Sequence, residues 1–388
     1  MTRTPHTPPH SNAPARSSRL LFILSADHGE LFNAMYFMMG MPFASALAMP
    51  PRTAAIHAGS LPYPIHPYDT LDDLLKIVDQ TDPDIVLLFS GYLYAANHLL
   101  NPTDVGSLMC SLRDRSLPVV TSDPSLGMLR NTSNQQVFAW REQFGWLEPW
   151  LAHLPHLYLA PDGMVGTGSS LSFFNPHLVL PEPARNSVLT AAAGQPWAQT
   201  SRPRWLFILQ TEDDRIQATL HDDWPGTLAA RLNDATSLEK QAVLIAPRPT
   251  AEQVLPRLQN PEHVTILGPC RYPLFMQCLH DAEVTFYWNR YSASILSRIL
   301  NGQPTFSFDL GHLGRSMPAI VDIAERHFYA ECNWPLLSDR VPLALASIAE
   351  MLSTMPTSLF HPVIDRLSHQ PTPDRVIHDL LAQWKVAS

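Results

Sequence analysis

The chain of 388 residues is long enough for two ordinary domains, each with its own core. Its formal net charge of −9 argues against a general surface for nucleic acid or for an anionic membrane, so we expect no nucleic-acid partner. The four cysteines form no C-x-x-C pair, which favours reduced thiols in a cytoplasmic protein over a zinc ribbon, and we expect no metal site.

Residues 1–18 are rich in Pro, His, Ser and Thr and nearly lack large apolar side chains, so we expect a disordered tail without a secretory signal. An apolar run, 19–24, follows this tail, and a closely similar run, 204–209, opens the second half. Each ends in a polar stretch, as expected of a buried strand at its carboxyl end. These two starts predict an α/β fold of two tandem Rossmann-like domains with a ligand-binding cleft between them.

No charged residue occurs from 31 to 51, where methionines and phenylalanines crowd together. We interpret this stretch as a core helix followed by a buried loop. Because methionine side chains adapt to varied shapes, the alternative is a hydrophobic acceptor pocket or a contact surface for a protein partner or an oligomer. Gly40 and Pro42 interrupt the stretch, so a transmembrane span fits least.

Short apolar runs predict five strands in each half, near 20–25, 52–58, 84–90, 117–122 and 156–160, then near 205–210, 241–246, 263–267, 283–288 and 304–308. Helices are predicted at 69–81, 104–115, 227–235, 251–258, 272–280 and 292–300. Strands that alternate with helices imply parallel sheets with right-handed crossovers. We expect a first domain over 19–180, a linker over 181–203, a second domain over 204–345, and C-terminal helices over 346–388 that pack across the domains.

Neither first loop contains the G-x-G-x-x-G of a dinucleotide site, and no P-loop lysine motif occurs, so we expect no bound cofactor. The most informative stretch lies between Glu283 and Gly314. After a predicted strand comes a polar turn with Asn289, and then a predicted helix with Ser292 and Ser294 at its start. Hydroxyl and N–H groups at a helix start form a natural phosphate site, and a plain helix cap is the alternative role for Ser292.

This stretch resembles the donor-binding half of the GT-B glycosyltransferases, which use nucleotide-sugar donors. Asn289 stands at the family's polar position, Ser294 at its serine position, and residues 302–304 match its Gly-x-Pro. Ser297 stands where the family usually carries a ribose-binding Glu. The resemblance implies a nucleotide-sugar as co-substrate, an acceptor-binding first domain and a donor-binding second domain.

The resemblance also implies roles for residues in two neighbouring loops. Asp309 and His312 follow the last predicted strand, where such enzymes often touch the sugar. The loop after the third strand of this half commonly holds the base, which makes Gly268, Arg271 and Tyr272 the candidates there.

In the first half, His28 directly follows the first strand and Asp123 follows the fourth. If both strands are central, their carboxyl ends face one cleft. Inverting glycosyltransferases resemble this arrangement, in which the His removes the acceptor proton and the Asp stabilises the imidazolium. Asp27 is the alternative base. Without a catalytic role, His28 is an ordinary loop histidine and Asp123 belongs to an Asp-Pro turn.

Further polar loops follow other strands. Ser90 and Tyr92 come after the third strand and are candidates for acceptor contacts. Gln210 and Thr211 follow the first strand of the second half, where they would reach a diphosphate. We interpret the acidic residues that come next, 212–214, as a solvated turn, with a metal bridge as the alternative.

Three functions are compatible with these patterns. The first is a glycosyltransferase that moves a sugar from a nucleotide-sugar to a hydroxylated acceptor. The second is a non-catalytic GT-B-like partner subunit or scaffold for a biosynthetic enzyme, which Ser297 and the acidic run 212–214 favour. The third is a nucleotide-sugar epimerase on the same architecture.

Overall fold

The computed structural model describes residues 18–25, 28–89, 100–122, 145–151, 153–158, 170–178, 201–316, 336–354, 365 and 367–387. These residues form two parallel β-sheets with helices, which is an α/β fold of two domains. The expected tail, apart from Ser18, and most of the expected linker lie outside the described residues.

The first sheet has seven parallel strands in the order β3-β2-β1-β4-β5-β6-β7. They are β1 Arg19–Ile23, β2 Ala44–Met49, β3 Ile65–Pro67, β4 Ile85–Leu88, β5 Val119–Ser122, β6 His156–Tyr158 and β7 Ser170–Ser172. The helices of this half are α1 His28–Met38, α2 Pro51–His57, α3 Leu71–Thr81, α4 Pro102–Asp114 and α5 Glu148–Leu151. The neighbouring strands β1 and β4 are buried along almost their whole length, as expected for strands covered on both faces.

The second sheet has five parallel strands in the order β10-β9-β8-β11-β12. They are β8 Arg204–Ile208, β9 Gln241–Ile245, β10 Val264–Leu267, β11 Ala282–Tyr287 and β12 Thr305–Ser307. The helices are α6 Thr211–Leu220, α7 Trp224–Ser237, α8 Arg248–Val254, α9 Tyr272–Asp281, α10 Ala293–Leu300, α11 Gly311–Ser316, α12 Leu345–Thr354 and α13 Pro373–Ala387. All five strands predicted for this half are confirmed.

The first half departs from its prediction around residue 50. The uncharged stretch 31–51 holds most of α1 and then strand β2, where a buried loop was predicted. The predicted strand at 52–58 is instead helix α2, because Pro51 fits a first helical turn, where its missing N–H is not needed. Phe37, Leu47 and Met49 are fully buried. The apolar side chains of this stretch thus serve the core, which speaks against a partner surface or an open acceptor pocket built from them.

Helix α1 packs against the second domain. The Phe32 ring meets the Tyr272 ring of α9 edge-on, with 5.7 Å between their centroids. The Tyr36 hydroxyl donates to the carbonyl of Ala293, the first residue of α10, at 3.3 Å. The Tyr272 N–H donates to Nδ1 of His57, at the end of α2, also at 3.3 Å. One hydrophobic core cluster therefore runs through both domains.

The C-terminal helices contact different parts of the molecule. Ile348 of α12 packs into the core around β8 and β11. The segment before α13 returns to the first domain, where the carbonyl of Pro371 accepts a hydrogen bond from the N–H of Phe174. Trp384 of α13 donates to the carbonyl of Ser116 at 3.3 Å. Among the described residues, no helix is both long and apolar enough to cross a membrane.

Candidate functional site

Each sheet has a point at which the strand order reverses. In the first sheet this switch point lies between β1 and β4, and in the second between β8 and β11. In open α/β sheets, ligands bind outside the carboxyl ends of the strands at such a point. The segment after β8 contains Gln210 and Thr211, and the segment after β11 contains Asn289 and Ser292. Four residues predicted to bind the donor therefore lie at the switch point of the second sheet.

Two helices begin at this switch point. Gln210 precedes α6 and Ser292 precedes α10, and neither side chain makes a capping hydrogen bond. Gln210 and Thr211 are exposed. The first N–H groups of a helix have no partner within the helix, and the helix dipole places partial positive charge on them. Two such starts on neighbouring strands favour an anion, such as a diphosphate.

Asp213, in the first turn of α6, ties three segments of this edge together. Its side chain is fully buried. Its Oδ2 accepts a hydrogen bond from Nδ2 of Asn289 at 2.8 Å. Its Oδ1 accepts the backbone N–H of His312 and lies beside Nδ1 of the same residue, each at 2.8 Å. Asp213 thus fixes the segments after β8, β11 and β12 relative to one another.

The acidic run 212–214 is not the solvated turn that the sequence predicts. It forms the first turn of α6, and of its three residues only Glu212 is exposed. Asp214 faces the body of the domain, where it accepts hydrogen bonds from Nε1 of Trp224 at 2.7 Å and Oγ1 of Thr250 at 2.5 Å. The three carboxylates of this run therefore point in different directions. Within the described part of the chain, no group of three His, Cys, Asp or Glu side chains is arranged to hold a metal ion.

Gly311, the first residue of α11, permits the close approach around Asp213. Its φ is +78°, and a Cβ there would lie 2.4 Å from Cβ of Asn289 and 2.9 Å from Oδ1 of Asp213. We expect Gly311→Ala to lower the free energy of unfolding by about 2–4 kcal/mol, because the left-handed backbone and the overpacking both cost stability.

Gly59→Ala is the matched control for Gly311→Ala. Gly59 has a φ of +66°, but nothing lies within 4 Å of its Cβ position. Gly59→Ala should therefore lower the free energy of unfolding by only about 1 kcal/mol, which is the cost of the left-handed backbone. Urea denaturation measures both variants. Equal losses would show that the contact with Asn289 does not constrain the site.

Three hydroxyl groups lie in a chain at the start of α10. The Tyr287 hydroxyl donates to Oγ of Ser294 at 3.0 Å, and Oγ of Ser294 lies 2.8 Å from Oγ of Ser292. Burial raises the pKa of Tyr287 to about 12, so the phenol stays protonated and donates. In the contact between the two serines, either hydroxyl can be the donor. The interpretation of Ser292 as a plain cap is wrong, since its side chain accepts no capping hydrogen bond.

Because Ser292 does not cap α10, we expect Ser292→Ala to change the free energy of unfolding by less than about 0.5 kcal/mol. The affinity of the variant for the predicted donor, a nucleotide-sugar, should fall about 5- to 10-fold, because one hydrogen bond is lost. Thermal denaturation and isothermal titration calorimetry measure the two quantities.

Thr70→Ala is the control for Ser292→Ala. Oγ1 of Thr70 caps α3 by accepting the N–H of Asp73 at 3.2 Å. Its loss should cost about 1 kcal/mol of stability and leave nucleotide binding unchanged. A destabilisation of Ser292→Ala as large as that of Thr70→Ala would restore the cap interpretation.

Asp309 holds the loop between β12 and α11. Its carboxylate accepts hydrogen bonds from Nε2 of Gln217 and the N–H of Gly311, each at 2.9 Å, and from Arg315 at 2.6 Å. Burial acts to raise the pKa of Asp309, but these donors outweigh it and hold the pKa below its usual value. The Asp309 carboxylate is thus hydrogen-bonded within the protein. The loop that it holds sets the position of His312.

The three candidates for the base site differ in exposure. Gly268 and Arg271 are exposed, and no atom lies within 4 Å of the Cβ position of Gly268. Tyr272 is buried and its ring packs against Phe32. Tyr272 therefore belongs to the junction between the domains, and its ring offers no open face on which a base would stack.

The candidates of the first domain are described only in part. Residue 28 begins α1, at the switch point between β1 and β4. The side chain of His28 lies outside the described residues, as do Asp27, Ser90, Tyr92 and Asp123. Helix α1 nevertheless relates this position to the second domain, because its Tyr36 contacts the start of α10.

Glu30 is a site residue that the sequence analysis missed. It is buried in the first turn of α1, and its carboxylate accepts the N–H of Ser25 at 2.6 Å and the Ser25 hydroxyl at 2.7 Å. Glu30 therefore connects the first turn of α1 to Ser25, just after β1. The signal in the sequence is a serine after a strand with a glutamate early in the following helix, which is similar to a capping box.

Solved structures similar to this chain are GT-B glycosyltransferases and UDP-GlcNAc 2-epimerases. The UDP-GlcNAc 2-epimerase of Neisseria meningitidis, bound to UDP-GlcNAc, has a TM-score of 0.52 at 10% identity and covers 94% of this chain and 100% of its own. The glycotransferase of kitacinnamycin has a TM-score of 0.52 at 13% identity, with coverage of 94% and 99%. The spinosyn rhamnosyltransferase SpnG has a TM-score of 0.51 at 14% identity, with coverage of 93% and 99%. No family model and no curated protein matches the sequence.

The predicted α/β fold of two tandem Rossmann-like domains is confirmed. The chain has a GT-B-type fold, which it shares with a UDP-GlcNAc 2-epimerase and a glycotransferase.

Proposed function

We propose that the protein is a glycosyltransferase that moves a sugar from a nucleotide-sugar to an acceptor hydroxyl. The observation that carries this proposal is that two helices begin at the switch point of the second sheet. Helix α6 begins there at Thr211 and helix α10 at Ala293. The hydroxyls of Ser292 and Ser294 lie beside them. This arrangement suits the diphosphate of a nucleotide-sugar, and the GT-B fold supports it.

In the proposed reaction, the second domain holds the leaving group. The N–H groups at the starts of α6 and α10, with the hydroxyls of Ser292 and Ser294, stabilise the negative charge that grows on the diphosphate. The exposed Gly268 and Arg271 contact the nucleotide base. The bond between the anomeric carbon and the phosphate oxygen breaks as the acceptor oxygen attacks, so no protein nucleophile is needed.

The first domain supplies the acceptor side of the reaction. His28 takes the proton of the acceptor hydroxyl, and Asp123 orients the imidazole and stabilises its charged form. Asp27 is the alternative base. Ser90 and Tyr92 contact the acceptor. The proposed step uses no cofactor beyond the nucleotide-sugar itself.

A nucleotide-sugar epimerase is the second candidate, because the similar structures include a UDP-GlcNAc 2-epimerase bound to UDP-GlcNAc. Both candidates use the same donor site. They differ in whether a second substrate is consumed, since an epimerase converts the donor by itself.

The test combines binding with product analysis. Isothermal titration calorimetry with UDP-, GDP- and dTDP-sugars should find one donor that binds. Mass spectrometry should then detect release of the nucleoside diphosphate only when a hydroxylated acceptor is present. Conversion of the donor alone into its epimer would support the second candidate. Failure of every donor to bind would overturn both and favour a non-catalytic partner or scaffold.

We also propose that the protein acts in the cytoplasm. Cys110, Cys270 and Cys278 are free thiols. Burial raises the pKa of Cys270 to about 12, so this thiol stays protonated and unreactive. Reduced thiols are the rule in the cytoplasm.

A further inference from the structure

Tyr36 of α1 is tied to both domains. Its backbone carbonyl accepts a hydrogen bond from Nδ2 of Asn175, which follows β7 in the first domain, at 2.8 Å. Its side-chain hydroxyl donates to the carbonyl of Ala293, the first residue of α10, at 3.3 Å. Tyr36 and Asn175 are almost fully buried, which shields these hydrogen bonds from competition with water. One residue therefore links the first domain, through its backbone, to the start of α10, through its side chain.

Asn175 fixes the carboxyl end of α1. Besides the carbonyl of Tyr36, its Nδ2 reaches the carbonyl of Met39 at 2.7 Å, and its Oδ1 accepts the N–H of His177 at 2.9 Å. The last carbonyl groups of a helix have no partner within the helix, so a side-chain amide that donates to them holds the helix end in place. Helix α1 therefore keeps a defined position in the first domain, from which Tyr36 reaches the second.

Aromatic contacts between α1 and α9 reinforce this link. Phe32 lies one turn before Tyr36, with 4.6 Å between the centroids of the two rings. The Phe32 ring meets the rings of Tyr272 and Phe275 edge-on, with 5.7 Å and 5.9 Å between the centroids. Edge-to-face ring contacts are favourable and depend on the relative orientation of the rings. They keep the face of α1 that carries Phe32 and Tyr36 turned towards the second domain.

We propose that Tyr36 is a positioning residue, which sets the distance between the start of α1 and the start of α10 through its hydrogen bond to Ala293. This inference rests on the proposed function. His28, the proposed base, begins α1 two turns before Tyr36, and Ala293 lies between Ser292 and Ser294 of the proposed diphosphate site. The hydrogen bond thus joins the helix of the base to the helix of the leaving group. A misplacement of about 1 Å between reacting groups costs up to about 100-fold in rate.

Tyr36→Phe tests the proposal, because it removes the hydroxyl and keeps the ring. The whole protein is assayed with the nucleotide-sugar that binds and the acceptor that it consumes. We expect kcat to fall at least about fivefold, because the two helix starts lose their direct connection. The Kd of the donor should stay within about twofold, because every group of the proposed diphosphate site is retained. A purely structural role would lower the folded fraction and leave kcat per folded molecule unchanged.

Tyr63→Phe is the matched control. The Tyr63 hydroxyl also donates to a carbonyl of α1, that of Met38, at the same distance of 3.3 Å, but both residues belong to the first domain. The two variants therefore lose the same kind of hydrogen bond, and only Tyr36→Phe loses one between the domains. Tyr63→Phe should keep both kcat and the donor Kd.

The distance between the domains gives a second readout, which needs no substrate. Spin labels are introduced as unnatural amino acids in place of Lys76 on α3 and Arg248 on α8, whose side chains are 70% and 85% exposed. Pulsed electron paramagnetic resonance then measures the distribution of distances between the two labels. This distribution should be broader in Tyr36→Phe than in the labelled protein without the substitution, and unchanged in Tyr63→Phe.

An unchanged distance distribution in Tyr36→Phe would overturn the inference and leave the glycosyltransferase proposal standing, and so would an unchanged kcat. A loss of kcat in Tyr63→Phe as large as that in Tyr36→Phe would also overturn it, because the contact between the domains would then have no special effect. If no nucleotide-sugar reacts with the unmodified protein, the proposed function fails, and the role of Tyr36 in the reaction fails with it. The distance distribution, measured without substrate, distinguishes this case from a failure of the Tyr36 contact itself.

Discussion

His28→Ala is expected to lose turnover by about 10²- to 10⁴-fold, which is the usual contribution of a general base. Residue 28 begins α1 at the switch point of the first sheet, and Tyr36 of the same helix contacts the start of α10. Eight residues of helix span about 12 Å, so residue 28 lies about 12 Å along α1 from Tyr36. Donor affinity should be unchanged, because the proposed diphosphate site lies in the other domain.

His378→Ala is the control for this experiment, because the His378 side chain is 82% exposed on α13. Steady-state kinetics and donor titration on both variants separate catalysis from binding. Unchanged turnover in His28→Ala would exclude His28 as the base and direct attention to Asp27 and Asp123. A loss of donor affinity equal to the loss of turnover would indicate a binding role instead.

Asp213→Ala is expected to lower the free energy of unfolding by about 3–5 kcal/mol, because buried donors lose their charged acceptor. Those donors are Nδ2 of Asn289 and the backbone N–H and ring of His312. Donor affinity should fall at least about tenfold in the folded fraction, because the segments after β8, β11 and β12 lose their common anchor. Chemical denaturation and donor titration measure the two effects.

Asp214→Ala is the matched control, since it removes the neighbouring carboxylate of the same helical turn. Its donors, Trp224 and Thr250, lie in the body of the domain and not at the switch point. The variant should lose about 2–4 kcal/mol of stability and keep its donor affinity. Equal losses of affinity in the two variants would mean that Asp213 acts only through overall stability.

The strands of the second sheet are predictable from sequence because their boundaries are marked. Each contains a short apolar stretch, and the strands β8 and β11 are soon followed by polar residues such as Gln210 and Asn289. Parallel strands that are covered on both faces can be predicted from little more than this signal. The first sheet is harder to predict, because α1 and β2 lie within one uncharged stretch that marks no boundary between them. Strands β3 and β7 are three residues each, which is too short to show a period.

The role of Asp213 depends on the residue at which α6 begins. The sequence does not mark this residue, so the run 212–214 was predicted to be a solvated turn. Successive residues of an α-helix point about 100° apart around its axis, so three adjacent carboxylates of one helical turn face three directions. The helix begins at Thr211, which leaves Glu212 in solvent and turns Asp213 towards Asn289 and His312. The acidic composition of the run does not reveal this rotation. The hydroxyls of Ser292 and Ser294, in contrast, lie directly after the strand and are found from their position alone.

The return of α13 to the first domain has a consequence for synthesis. Leu367, Val376 and Ile377 belong to the same apolar cluster as Leu20 and Phe22 of β1. A ribosome therefore delivers β1 long before the residues that complete its core. We expect the nascent first domain to expose apolar surface, and to need protection from aggregation by chaperones, until translation has passed α13.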